Sequence, residues 1–361
     1  MGSLLAWATR GGTLRDIQHV TPVPPGSAQG LVAEVYDQVE RDFGMLAPPI
    51  SLHSPAPQCL AAVWSMLRES LLASGVTTRG SREAVAVAVS AGNSCPYCVD
   101  VHSATLTGLT GAQAVADQDA APDPRFDALG AWARASATNS PLSAPFPATH
   151  APELIGVAVT FHYLNRMVNI FLPPSPIPPV VRGVARRAAG RVAARVLGSL
   201  ARRPVRPGRS SGLLPTAPLP ADLFWAAGHD GVATAFAAAV HAVEAAGERA
   251  VPEAVRALAV ARQDDPAGNR PGLDARDWLE GAVAPLAEAD RPAGRLVMLT
   301  MFASYRVTPQ LLAQVRLRQP GDDTLIQLTS WASLLAARRI GARLGVRDGR
   351  TGRHAGTGDL A

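Results

Sequence analysis

Apolar residues recur along this chain at the three-and-four spacing of helices, and alternation bounded by tight-turn dipeptides is missing. Leu31, Val35 and Val39 mark one face of a first predicted helix over 28–44. Leu60, Val63, Trp64, Leu67 and Leu71 form a stripe on a second, over 57–74, opened by Pro57. Residues 82–91 alternate Ala and Val, a pattern that also suits a strand. Alanine is a poor strand former and helices flank the segment, so it reads as a buried helix ended by Gly92 and Asn93. Ser94 is a good N-cap and Pro96 suits a first helical turn, which predicts a helix from about Cys95 to Leu106. Further helices are predicted over 123–138, 153–172 and 180–201, then over 221–247, 252–262, 275–288, 292–304, 308–317 and 323–345. The expected fold class is all-α, a helical bundle.

Proline-rich stretches at 141–152 and 173–179, and a Pro/Gly/Ser-rich stretch at 204–220, punctuate the helices. The last of these sets the expected organisation: a first domain over 1–200, a linker over 201–220, a C-terminal helical domain over 221–346 and a glycine-rich tail over 347–361. Laying Leu296–Gln314 over Val85–Ser103 pairs apolar with apolar and puts Arg306 and Pro309 where Cys95 and Cys98 stand. On that register the halves are distantly related helical units, and only the first carries chemistry. Trp7, Trp64, Trp132, Trp225, Trp278 and Trp331 read as core anchors, and His53, His150, His229 and His241 lack ligand-like spacing.

Composition narrows the function. Of 361 residues 47% are hydrophobic and 17% charged, enough apolar surface for a full core. All 34 basic residues are arginine, which excludes a P-loop lysine and a lysine Schiff base. The net charge of +5 is local: residues 180–209 hold nine arginines and no acid, leaving 25 arginines against 29 acids elsewhere. Arg187, Arg191 and Arg195 form a stripe without interleaved aromatics. The segment therefore reads as a solvated connector or a surface for an acidic partner, not a nucleic-acid or membrane site, and its deletion is expected to leave a folded, active protein. Three cysteines do not make a secreted disulfide framework, Met1–Gly12 is too short for a signal peptide, and no apolar run reaches about 18 residues. A cytoplasmic protein without membrane insertion is expected.

The chemistry concentrates between Glu83 and His102. Cys95-Pro96-Tyr97-Cys98 can close a small disulfide ring, Glu83 stands twelve residues before it, and His102 four after its second thiol. At the start of a helix Cys98 and His102 share a face, and the unpaired N–H groups and helix dipole favour a thiolate. His102 would take the Cys98 proton, with Glu83 returned by the preceding antiparallel helix to orient the imidazole. Cys98, nearer the base, would attack a peroxide oxygen, and Cys95, nearer the exposed helix end, would close the disulfide. A zinc reading finds three ligands of common type where a structural site prefers four, so no metal and no cofactor is assigned. His162 and Arg166 lie one turn apart on an apolar helix and are candidates to line the substrate pocket.

Glu83, Cys95, Cys98 and His102, within REAVAVAVSAGNSCPYCVDVHSATL, resemble the thiol-active motif of the alkyl hydroperoxidase D / carboxymuconolactone decarboxylase family. The resemblance is specific over about 55–115. It implies an all-α fold, homo-oligomers, and thiol-dependent reduction of hydroperoxides with Cys98 peroxidatic and Cys95 resolving. It also implies an external dithiol reductant such as a lipoyl-bearing protein, with a peroxiredoxin as a further partner. Pro96-Tyr97 departs from the type enzyme, which has a histidine next to its second cysteine. The lactone decarboxylase branch does not depend on a cysteine pair. Two alternatives stay open: a disulfide oxidoreductase without a peroxide step, and a non-catalytic redox-sensing scaffold.

Overall fold

Helix follows helix, with no strand among the described residues, in a computed structural model that describes residues 14–111, 126–138, 142–177, 180–263 and 275–345. In chain order the helices are α1 Gly30–Asp42, the single turn α2 Pro48–Ser51, α3 Pro57–Leu67, α4 Arg79–Gly92, α5 Pro96–Thr110, α6 Asp127–Ala135, α7 Ala151–Phe171 and α8 Gly183–Ala201. After a 3₁₀ stretch over Ala221–Ala226 come α9 Asp230–Ala250, α10 Glu253–Arg262, α11 Ala275–Val283, α12 Arg291–Ala303, α13 Pro309–Arg316 and α14 Asp322–Gly345. The all-α expectation holds. Trp7, Met1–Gly12, Pro141 and the predicted tail over 347–361 lie outside the described residues.

Three boundaries differ from the sequence expectation. The helix expected over 57–74 widens into a π-turn at Arg68–Leu72, where Arg68 and Glu69 form a buried ion pair. The helix expected over 221–247 is broken, because Leu223 leaves helical geometry and a new helix starts at Asp230, capped by His229. Ser94 is not the N-cap of α5: its φ is +54°, and Cys95 takes the cap position.

α7 is the axis of the molecule. Pro152–Asn165 is buried without interruption, because α4 lies on one side and α14 on the other. Each fully buried Leu, Val or Phe on such a helix contributes about 1.5–3 kcal/mol. α9 packs on α3, and Ala61, Ala62, Ala235, Ala239, Ala242 and Ala246 are all buried on these two helices, small side chains that let the axes approach. Helices from both halves share one continuous buried cluster. The N-terminal segment ties onto α14 and the end of α7: Thr21 N donates to Asp322 Oδ2 at 2.8 Å, and Gln18 N donates to Phe171 O at 2.8 Å.

The arginine-rich segment is not a detachable connector. Its helix α8 crosses α5 at two glycines, and a Cβ on Gly198 would stand 2.4 Å from the backbone of Gly108. Beyond α8, Gly208 N and Ser210 Oγ donate to Glu69 at 2.9 and 2.7 Å, and the fully buried Arg68 donates to Arg206 O at 2.7 Å. Deleting 180–209 strips a layer off α5 and leaves a buried ion pair without its partners. Loss of the Arg206 O and Gly208 N hydrogen bonds leaves buried charged groups under-satisfied at about 1–3 kcal/mol each, so the packing speaks against the expected harmless deletion. Trp64, Trp132, Trp225 and Trp331 are buried, and Trp278 packs partly buried against the same cluster.

Candidate active site

α4 and α5 form a helix–turn–helix whose turn carries the site. Gly92 ends α4 where α6 presses against it: a Cβ there would meet Ala137 Cβ at 2.8 Å. Ser94 takes the left-handed turn, Cys95 N donates back to Ser90 O at 3.0 Å, and Pro96 opens α5. The expected exposed position for Cys95 is not found. Cys95 is 1% and Cys98 3% exposed, and both thiols are free.

Glu83 and His102 meet as the spacing predicts. Glu83 is fully buried on α4, and its Oε2 lies 2.7 Å from His102 Nδ1 on α5. The opposite oxygen accepts from Arg79 Nε at 2.8 Å. Burial alone would raise the Glu83 carboxyl, but the Arg79 guanidinium, His102 and their hydrogen bonds outweigh it and hold it at about 2. An ionised carboxylate can only accept, so His102 Nδ1 is the donor and Nε2 is left with the lone pair that takes a proton. The ring stands edge-on to Phe161 of α7, centroids 4.6 Å apart at 89°, which fixes its plane.

A small crevice of about 10 Å³, bordered by Asp42, Arg79, His102, Thr105, Leu197 and Leu200, opens beside this pair. That is room for about one water. α8 supplies Leu197 and Leu200, so the arginine-rich helix forms one wall of this crevice.

The Cys98 thiol is pushed well above its ordinary value by its hydrogen bond with Cys95, by burial, and by the proximity of a second ionisable sulfur; a hydrogen bond from Asn165 works the other way. Only one of two sulfurs so placed can ionise readily. Such a thiol needs a base and an anion-stabilising donor, and the site holds a candidate for each.

His162 and Arg166 lie one turn apart on α7, and His162 reaches Asn93 in the turn before Cys95. His162 is fully buried, its Nδ1 3.0 Å from Asn93 Nδ2 and its Nε2 2.8 Å from Ser136 Oγ. Burial, Arg166 and Arg343 hold its imidazole well below 6.5, in the neutral form. Arg166 donates to Met301 O at 3.1 Å and to its own helix at His162 O at 2.5 Å. Both side chains are occupied by protein partners rather than lining the crevice beside Glu83.

Three residues of the site were not foreseen. Arg79 was legible as an i,i+4 partner of Glu83. Asn165 was legible with His162 and Asn169, at i+3 and i+7, as a polar stripe on an apolar helix. Asn93 carries no such signal, since a helix-ending Asn is ordinary in any sequence. No group of three or more His, Cys, Asp or Glu suited to a metal occurs among the described residues, and none of their helices is long and apolar enough to cross a membrane.

No family model matches the chain, and no solved structure matches it. Among curated proteins it is similar to the alkyl hydroperoxide reductase Rv2159c of Mycobacterium tuberculosis, with 36% identity over 355 residues that span 96% of this chain and 100% of that one. Near-complete coverage at this identity extends the likeness well beyond the motif to the whole run of helices, and the chain belongs to the alkyl hydroperoxidase D-like family.

Proposed function

We propose that this protein is an oxidoreductase that reduces hydroperoxides by a dithiol–disulfide cycle at Cys98 and Cys95. His102 Nε2 takes the Cys98 proton while ionised Glu83 stabilises the imidazolium. The thiolate attacks the hydroperoxide: an S–O bond forms, the O–O bond breaks, and the leaving alkoxide takes the proton from His102 and departs as alcohol. Cys98, now a sulfenic acid, condenses with the Cys95 thiol, forming the S–S bond and releasing water. An external dithiol reduces the disulfide by exchange and becomes a disulfide itself.

One observation carries this reading: a buried carboxylate held ionised at 2.7 Å from an imidazole, one helical turn from a pair of free thiols. The reductase activity in the name of the mycobacterial relative supports it. Burial of both sulfurs favours a small oxidant, and likewise a slender dithiol reductant, over a bulky protein disulfide.

The test is stopped-flow tryptophan fluorescence of the reduced protein mixed with hydrogen peroxide or an organic hydroperoxide, followed by alkylation mass spectrometry. Rapid formation of a Cys95–Cys98 disulfide, abolished in Cys98→Ser, is expected. Oxidation no faster than that of a free thiol sinks the reading, and dithiol–disulfide exchange with protein partners takes its place.

A further inference from the structure

The second partner of Glu83 stands where local energetics do not favour it. Arg79 is the first residue of α4, capped by Thr78, so its positive charge sits at the positive end of the helix dipole. Its pair with Glu83 at i+4 also runs in the weaker order, cation before anion. The contact is close nonetheless: Arg79 Nε and Nη2 lie 2.8 and 2.7 Å from Glu83 Oε1, while His102 Nδ1 lies 2.7 Å from Oε2. Glu83 is completely buried, and the Arg79 side chain is 15% exposed, at the crevice it lines with Asp42, His102 and Leu200. The neighbouring cation, Arg82, is turned elsewhere: its guanidinium donates to Ala73 O at 2.5 Å and to Ser70 O and Thr77 O at 3.4 Å. Asp42, across the crevice, accepts from Arg68 Nε at 2.8 Å.

We propose that Arg79 is a positioning residue acting through Glu83: its fixed charge keeps the Glu83–His102 pair one proton short, so that His102 Nε2 stays bare and can serve as the base. The proposal rests on His102 taking the Cys98 proton. A buried carboxylate with only a neutral imidazole beside it is an uncompensated charge, and the simplest remedy is one more proton. Where that proton settles makes no difference. On the ring it gives an imidazolium, with a hydrogen on both nitrogens. On the carboxyl it is donated to Nδ1, and the ring's own hydrogen must then sit on Nε2. Either way the lone pair that accepts the thiol proton is lost. A guanidinium stays charged at working pH, so it supplies the missing charge without a proton for the ring to take. The other ionisable groups around the pair are Arg82 on α4, Cys95, Cys98 and Asp100 on α5, and Asp42, Arg68 and Glu69 beyond the crevice. Glu153 of α7 accepts from Val76 N and Thr77 N at 2.7 and 2.9 Å, and Asp127 and Arg134 of α6 are exposed. α8 presents Leu197, Leu200 and Ala201 to the crevice, with Arg191 and Arg195 exposed.

The experiment follows the His102 ring by ¹H–¹⁵N NMR of the full chain labelled at histidine, from acid to alkaline pH, with His102→Gln to assign its signals. Arg79→Gln, Arg79→Met (which keeps the apolar stem) and Arg79→Lys are compared with the unsubstituted protein. Arg187→Gln, on the exposed face of α8, controls for net charge, and circular dichroism confirms the fold of each. In Arg79→Gln and Arg79→Met the midpoint at which Nε2 loses its hydrogen is expected to rise by roughly one pH unit. Stopped-flow oxidation of Cys98 by hydrogen peroxide is expected to slow about tenfold on the acid limb of its profile and to recover in alkali, which loss of packing does not give. Arg79→Lys is expected to restore most of both. Added to Glu83→Gln, Arg79→Gln is expected to move the midpoint far less, because no buried carboxylate is left to recruit a proton. A full shift in that double variant, an equal shift in Arg187→Gln, or unmoved midpoints in folded Arg79→Gln and Arg79→Met overturn the proposal while leaving the peroxidase reading in place. If instead the unsubstituted protein fails to oxidise Cys98 with peroxide, the reading beneath the proposal falls, and the proposal with it.

Discussion

Two helix–turn–helix pairs meet α7, α4–α5 and, through α12 and its turn, α12–α13, and only the first carries the candidate site. In both, the second helix opens on a proline, Pro96 or Pro309. The cap residues differ. Thr308 caps α13 conventionally, its hydroxyl accepting from Leu311 N at 3.3 Å, whereas Cys95 makes no capping hydrogen bond to α5. Where the first pair buries Glu83, the second has Gly294 with Leu286 beside it, a Cβ there standing 2.4 Å from Leu286 Cδ1. In the turn before Thr308, the Arg306 guanidinium lies 5.7 Å from the ring of Tyr305. α7 serves both turns through Asn169, which donates to Asn93 O at 3.2 Å and Ser304 Oγ at 3.1 Å. The scaffold is ordinary, and the site comes from giving up a helix cap for a thiol and apolar filling for a buried carboxylate.

The largest test of this contrast is at the sulfurs. Cys98→Ser is expected to abolish peroxide turnover, while Arg306→Ala, at the equivalent turn, leaves it within about twofold and stability within about 0.5 kcal/mol. Comparable losses in both variants, measured by coupled peroxide consumption, break the comparison. Glu83→Gln comes next, lowering turnover by about a hundredfold because His102 loses the charge that stabilises its protonated form. A pH–rate profile checks it, and an unchanged rate removes Glu83 from the mechanism. The caps separate the pairs more finely. Thr308→Ala is expected to cost about 1 kcal/mol in urea melts without touching turnover. Cys95→Ser, which loses no cap, is expected to stop disulfide closure without loss of stability.

The smallest effect is a pH slope. Burial holds His53 at about 3 and His162 well below 6.5, so below 6.5 the unfolded chain binds protons that the folded chain refuses. Stability then falls as pH drops, by up to about 1.4 kcal/mol per pH unit for each group. Glu83 adds a loss of the same sign between 4.5 and about 2, since its folded carboxyl titrates lower than its unfolded one. Urea melts of wild type and His53→Gln between pH 7.5 and 4 check this; equal slopes in the two proteins rule out His53 as a source.

Much of the site was legible in advance. Glu83, Cys95, Cys98 and His102 could be placed together because helical spacing and a short turn leave their backbones little choice. The helices themselves followed from apolar periodicity, and they failed where a local turn overrode propensity: at Ser94, at the π-turn after Leu67, and at Leu223. The arginine-rich segment misled because its charge pattern says nothing of its inner face. Gly108 and Gly198, ninety residues apart, are each unremarkable until α5 and α8 cross on them.

The sequence by itself determined the helical class, the order of the elements, and the four residues around the turn, since periodicity and spacing act within one or two helices. Only the tertiary structure decided that Cys95 is buried, that α8 lines the crevice beside Glu83 and His102, and that Asn93, Asn165 and His162 join in one hydrogen-bonded chain. Those contacts link residues about seventy to a hundred positions apart, and which of them forms depends on how α7 and α8 pack against α4 and α5, a choice that local pattern does not encode.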